Sequence, residues 1–291
     1  MASFIVDEKP WQGGRVSERV ICVRAENPSP MTYVGTNTWI VHEPQASSCV
    51  VIDPSPRSEQ TQHILQVCAD EGLCVGAIVL THDHHDHTEG AKELAQKTGA
   101  PVYASKSEMA ADTPDGALAI DIDHLLCEAS YRLDDGTKQV FCPFEGAPAF
   151  DLYDLPGHSS DSIGLLLKAD QALFVGDVVF RHGPTVVFYP DGNLADYLHS
   201  LDAIEQLVSS GEVAVLYPGH GYPVADPLRA LHATREHRLE RLRQVEDALK
   251  AGVPADANVL FDAVYKGVDE RLRWASLRSI EAQLVYLGRG A

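Results

Sequence analysis

Apolar positions follow two textures along the chain. Up to about residue 223, short β-branched runs alternate with turns: Trp39 to Val41, Cys49 to Ile52, Ile78 to Leu80, Ile163 to Leu167, Ala172 to Val175 and Val213 to Leu216. Runs this short, bounded by polar or glycine-containing turns, predict strands. Helical stretches lie between them over 59–70, 89–98 and 193–209, so the predicted class is mixed α/β. From Asp226 the spacing changes. Asp226-Pro227 supplies an N-cap and a proline at the first helical position, and Gly252 with Pro254 supplies the stop. Between them Leu228, Leu231, Leu239, Leu242, Val245 and Leu249 mark one face of a long helix, and two further helices are predicted over 256–266 and 269–287. We therefore expect two segments, a mixed α/β region over 1–223 and an all-helical region over 224–291.

Charge follows the same division. The 291 residues are 45% hydrophobic, enough for a large core with a satellite, and carry a formal charge of −19. Residues 1–223 hold −20 of that balance and residues 224–291 hold +1. Such acidity repels phosphate backbones, which disfavours a protein that coats nucleic acid or anionic membrane. Met1 to Trp11 lacks an apolar export core, and no stretch approaches the roughly eighteen apolar residues of a membrane span. A cytoplasmic protein with no membrane partner is expected. The six cysteines show no C-x-x-C pair and read as reduced, mostly buried thiols.

The sharpest chemical signal is Thr81-His82-Asp83-His84-His85-Asp86-His87, the pattern H-x-H-x-D-H directly after a strand. Imidazole and carboxylate suit zinc and related divalent ions. In an extended loop, alternate side chains of such a motif would point to two neighbouring centres. Further ligands are on offer at other strand ends, in Pro156-Gly157-His158, Gly176-Asp177 and Pro218-Gly219-His220. Neither a G-x-S-x-G serine elbow nor a G-x-x-x-x-G-K-[ST] phosphate loop occurs.

Asp53 at a strand end, the His82-to-His87 motif, Leu-Pro-Gly-His158, Val-Gly-Asp177 and Pro-Gly-His220-Gly together resemble the five motifs of the metallo-β-lactamase-fold hydrolases over about residues 18–223. The resemblance implies an αββα sandwich with the metals in a groove at one edge. It implies a first metal on His82, His84 and His158, a second on Asp86, His87 and His220, Asp177 bridging them, and Asp53 supporting the ligand loop. Two divalent ions are expected, zinc foremost, with iron or manganese as alternatives. Gly35-Thr36-Asn37-Thr38, Gly183-Pro184-Thr185, the Tyr217-to-Gly221 loop and His237-Arg238 are similar to the β-lactamase-like protein 2 subgroup, related to glyoxalase II. That subgroup implies a small all-helical, winged-helix-like C-terminal domain, here lacking most of the wing.

The implied chemistry is hydrolysis by a metal-bound hydroxide, with Asp86 and Asp177 as catalytic carboxylates and a small ester or thioester as substrate. A single-strand endoribonuclease is the alternative, with RNA received along Arg229, Arg235, Arg238, Arg241 and Arg243. A mono-iron sulfur dioxygenase, which would leave Asp86, His87 and His220 without a metal role, ranks lower, as does a metal-stabilised scaffold. A homo-oligomer is compatible with all of these.

Overall fold

The computed structural model describes residues 4, 9–56, 58–105, 124–126, with His124 and Leu125 as backbone alone, and 140–290. Cys127 and most of the first eight residues, which the thiol and export readings include, lie outside the described residues. One sheet holds β1 (Gly14–Arg15), β2 (Val20–Arg24), β3 (Asn37–Val41), β4 (Ser48–Ile52), β5 (Cys74–Val79), β6 (Val102–Ala104) and β7 (His124–Leu125), side by side in chain order. The second holds β8 (Val140–Phe141), β9 (Phe150–Asp154), β10 (Ile163–Leu167), β11 (Ala172–Gly176) and β12 (Val215–Pro218). Pairing is antiparallel from β1 to β4 and from β8 to β11, and parallel from β4 to β7 and between β11 and β12. Parallel neighbours need crossovers. Helix α1 (Glu59–Asp70) joins β4 to β5, α2 (His85–Thr88) and α3 (Ala91–Thr98) join β5 to β6, and α4 (Leu194–Ser209) joins β11 to β12.

The central strands are apolar on both faces, so each sheet is covered twice. Val20, Cys22, Trp39, Val50 and Ile52 face Leu152, Leu165, Phe174 and Tyr217 across the gap between the sheets. The alternate residues Ile21, Val23, Cys49 and Val51 pack outward with Ile64 and Cys68 of α1 and Leu94 of α3. On the other side Leu166, Leu173 and Val175 pack with Tyr197, Leu201 and Ile204 of α4. The layers run helix, sheet, sheet, helix. Helix α5 (Pro227–Lys250) joins this outer layer through Ala230 and Leu231, and then builds a second small core. There Val245 packs with Leu260 and Phe261 of α6 (Ala257–Val264) and with Ile280 and Leu284 of α7 (Arg273–Tyr286).

Several predicted elements shift for local reasons. The run Val213 to Leu216 begins pairing only at Val215, because the Val213 N–H still closes the end of α4 on the Leu207 carbonyl. Strand β9 escapes the apolar pattern because Asp151 interrupts it, yet Asp151 is 2% exposed and paired to Lys168 at 2.6 Å. The helix predicted over 269–287 opens as a 3₁₀ turn, Glu270–Leu272, before α7. Of the described cysteines, Cys22, Cys49 and Cys68 are buried and free, while Cys74 and Cys142 are exposed. Among the described residues no helix is long and apolar enough to cross a membrane.

Candidate metal centre

Strand ends meet at one edge of the sandwich, and they bring the motif residues together. The motif itself is not one extended loop, as its pattern suggested. His84 is extended (φ −62°, ψ 139°), and the chain then turns into the single-turn helix α2 at His85. That turn places Asp86 and His87 in a second cluster beside the first, with the His87 ring 4.2 Å from that of His82. The result is two groups of donor atoms, each within 4.8 Å of one another: His82, His84 and His158 in one, and Asp86, His87, Asp177 and His220 in the other.

Hydrogen bonds fix which ring nitrogens face inward. His87 Nδ1 bonds Asp53 Oδ2 at 2.9 Å, His158 Nδ1 bonds the Val186 carbonyl at 2.6 Å, and His220 Nδ1 lies 3.3 Å from the Gly35 carbonyl. Thr81 Oγ1 donates to Asp53 Oδ2 at 2.7 Å and so serves as acceptor for His82 Nδ1 at 3.0 Å. Each bond occupies Nδ1 and leaves Nε2 facing inward, the orientation metal-binding histidines adopt. In the first group His82 Nε2 and His158 Nε2 approach His84 Nδ1 at 3.1 and 2.9 Å. Asp177 stands between the groups. Its Oδ1 is 3.2 Å from His87 Nε2, and its Oδ2 is 3.2 Å from His220 Nε2 and 3.9 Å from His158 Nε2.

The donor atoms fit a cation better than they fit one another. His87 Nε2, His220 Nε2 and Asp177 Oδ1 are buried without a hydrogen-bond partner, although they lie close enough for charge attraction. Buried polar atoms are rarely left this way. Protonation divides the groups. Burial pushes His82, His84 and His158 down, His84 to about 3, which makes three neutral imidazoles. Burial also opposes charge on His87 and His220, yet Asp177 and Asp86 beside them prevail and raise both, His220 to about 9. Burial likewise opposes charge on Asp177 and Asp86, and the same two histidines hold both carboxyls below the usual range. The second group thus keeps protons where a divalent ion would sit.

Gly219 shows how closely the strand ends converge. A Cβ there would lie 2.3 Å from Asp177 Oδ1 and 2.4 Å from His87 Cε1. Beside the donor atoms is a cavity of about 360 Å³, lined by His158 and Asp177, by Tyr33, Phe180 and Thr185 of the sandwich, and by Arg238, Tyr265 and Ser276 of the helical segment. The C-terminal helices therefore form one of its walls. The five arginines expected to make an RNA-binding stretch spread around α5 instead. Arg235 pairs with Asp202 at 2.5 Å and Arg243 with Glu240 at 2.6 Å, while Arg238 is buried and donates to the Thr185 carbonyl.

The sequence model of the metallo-β-lactamase superfamily matches residues 31–220. The chain belongs to that superfamily. A Caenorhabditis elegans relative named β-lactamase-like protein 2 homolog is 27% identical over 93% of this chain and 84% of its own length. An atrochrysone carboxyl ACP thioesterase of Aspergillus chevalieri is 32% identical over 81% of this chain and 67% of its own length. Among solved structures, a β-lactamase domain protein from Burkholderia ambifaria superposes with a TM-score of 0.72 at 20% identity, over 97% of this chain and 91% of that one. A metallo-β-lactamase family protein from Thermus thermophilus gives 0.68 at 20% identity, over 94% and 95%. With thioesterases among its relatives, this metallo-β-lactamase-fold chain is a hydrolase.

In this superfamily member the site extends past its motif residues. Phe188 places its ring 5.0 Å from His84 and 5.8 Å from His158, and Trp274 of α7 lies 5.3 Å from Phe188. Tyr33 packs edge-on to Phe180 at 5.5 Å, and Phe180 lies 5.6 Å from His220. None of these aromatics carries a local sequence signal. Each comes from a loop or helix remote from the motifs, and an isolated aromatic reads as core.

Proposed function

We propose that the protein hydrolyses a small thioester or ester with the help of two divalent ions. His82, His84 and His158 would hold one, Asp86, His87 and His220 the other, with Asp177 between them. The observation that carries this reading is the position of Asp177, whose two oxygens face His87, His220 and His158 from the gap between the donor groups. Five imidazoles and two carboxylates without a thiolate suit zinc, with iron and manganese as alternatives. Bound there, divalent ions would activate water and polarise the carbonyl under attack. The chain's own part is to hold the donor atoms in place and to move a proton. In the reaction a water oxygen bonds to the acyl carbon and the carbon–sulfur or carbon–oxygen bond breaks. Asp86 and Asp177 are both kept ionised, and one carboxylate oxygen of the pair takes up the water proton and returns it to the leaving group. Support for a thioester comes from the relatives named as thioesterases. We read α5 to α7 as the helical part of a winged-helix-like unit that closes one side of the cavity.

A single-strand endoribonuclease is the competing reading. The arginines it would use are dispersed, tied to acidic neighbours or turned into the cavity, which favours the small substrate. Elemental analysis followed by a thioester panel and a short single-stranded RNA separates the two. We expect two metal equivalents and thioester turnover that is insensitive to salt. RNA cleavage that falls steeply with salt, with no thioester turnover, would overturn the proposal.

A further inference from the structure

We propose that the cavity receives a substrate whose acyl part ends in a carboxylate, held by Arg238 and Arg241 of α5. The inference rests on the thioesterase reading and names its substrate class. It begins from a contrast of charge. The chain carries −19, yet among the described residues lining the cavity Asp177 is the sole carboxylate, and that side chain is engaged by His87 and His220. Arg238 and Arg241 line the same cavity, and among the described residues no carboxylate pairs with either guanidinium.

Arg238 is 6% exposed and donates through Nη2 to the Thr185 carbonyl, while its Nε is buried without a partner. A guanidinium withdrawn from water without a counter-charge is costly, and an anion reaching it offsets that cost. Arg241 is held rather than free to roam. Its guanidinium lies 4.6 Å from the centre of the Tyr265 ring, and Nη1 donates to Gln244 Oε1 at 3.0 Å. Beside them His237 presents a buried Nδ1 with no partner. Burial first, and then these two arginines, push that imidazole down to about 3. Ser276 and Ser279 of α7 line the cavity too and offer hydroxyls for orienting an anion. A volume of about 360 Å³ suits an acyl group of modest size. The metal donors His158 and Asp177 are in the wall, so an acid anchored on the arginines would extend its thioester toward them.

An anion on the leaving group, such as the phosphate of a pantetheine arm, has related chemistry, and the test separates the two sources. Glutarate and pentanoate, which differ only in the terminal carboxylate, are titrated calorimetrically into the zinc-loaded full chain. We expect glutarate to bind at least roughly tenfold more tightly, the gain of a charge-assisted pair. Arg241→Gln should bring the two affinities to within about threefold, and Arg241→Lys should keep part of the preference. Equal affinities in the unaltered protein, or a preference that survives Arg241→Gln, would overturn the proposal. So would an Arg241-dependent preference for 4′-phosphopantetheine over pantetheine with none for glutarate, which would assign the anion to the leaving group. Binding is read without turnover, so an intact glutarate preference in a protein inert toward every thioester would sink the thioesterase reading and leave the anion subsite standing.

Discussion

The Asp53 carboxylate and the His87 imidazole are joined at 2.9 Å, Oδ2 to Nδ1, with both side chains out of water. Asp53 also accepts from the Thr81 N–H at 2.8 Å and from its hydroxyl at 2.7 Å, so one residue at the end of β4 sets the start of the motif and the aim of His87 Nε2. Its φ of 53° lies in the left-handed region, which asparagine tolerates. Asp53→Asn should therefore fold, keep the first metal, and lose about 10- to 100-fold in affinity for the second. Competition with a graded chelator measures this, and an unchanged second affinity would remove Asp53 from the proposed support of the site.

Metal uptake should depend on pH at one site and not at the other. His84, at about 3, is already neutral at pH 6, and His82 and His158 are pushed the same way. His87 and His220 are raised, His220 to about 9, so an ion entering the second group must displace protons. Second-site affinity should rise by about a decade per pH unit for each proton released, the His220 proton contributing up to about pH 9, while first-site affinity stays flat above pH 6. In the metal-free protein the sign reverses. The raised His220 adds stability that is fully present below its unfolded pKa of about 6.5 and is lost as pH rises through about 9, and the raised His87 acts in the same direction. Metal stoichiometry by calorimetry at pH 6 and pH 9 checks the first statement, and denaturant melts of the stripped protein check the second.

Gly219→Ala tests how tightly the strand ends are drawn together. The added Cβ would fall 2.3 Å from Asp177 Oδ1 and 2.4 Å from His87 Cε1, so both donors must move. The cost falls on the site more than on the chain, because the residue is not at positive φ. We expect near-complete loss of hydrolysis and of the second metal, with a destabilisation of about 1–3 kcal/mol. A variant with ordinary turnover and two bound ions would contradict the shared position of Asp177.

The two-texture pattern gave the layers and the change at Asp226, since a core built from strands apolar on both faces leaves unbroken runs. The donor residues were legible for a different reason: each sits in a short motif at a strand end, where spacing alone signals chemistry. Strand β9 was hidden by Asp151, whose partner Lys168 lies beyond the next strand. The turn at His85 that sends Asp86 to the second group was hidden too, because histidine-rich sequence has no helical period. Least legible was the cavity. Its wall joins Tyr33, Phe180 and Arg238, which only tertiary packing brings together.

Arg238 reaches the candidate metal centre through the backbone. It donates to the carbonyl of Thr185, whose hydroxyl is 3.2 Å from His158 Nδ1, and the adjacent Val186 carbonyl takes the same nitrogen at 2.6 Å. Arg238→Met keeps much of the stem and removes the donor. It should cost about 2–3 kcal/mol through the buried carbonyl left unpaired, and loosen the first metal more than the second. A denaturant melt and site-resolved metal titration together distinguish this positioning role from a purely structural one, which would lower stability and leave both affinities alone.

Trp274 offers the opposite separation. It is 52% exposed on α7, so little of the fold depends on it, yet its ring lies 5.3 Å from Phe188, which in turn covers His84 and His158. An aromatic pair of this kind contributes about 0.5–1.5 kcal/mol, and truncating one member leaves the other free to swing. Trp274→Ala should change stability by about 1 kcal/mol or less and leave the metal content intact. It should raise KM several-fold for a thioester with an apolar or aromatic acyl group while kcat holds, the signature of binding lost equally from ground and transition states. Trp274→Phe should recover most of the loss. If kcat falls instead and KM does not move, the ring acts on the donor histidines beneath Phe188 and not on the substrate.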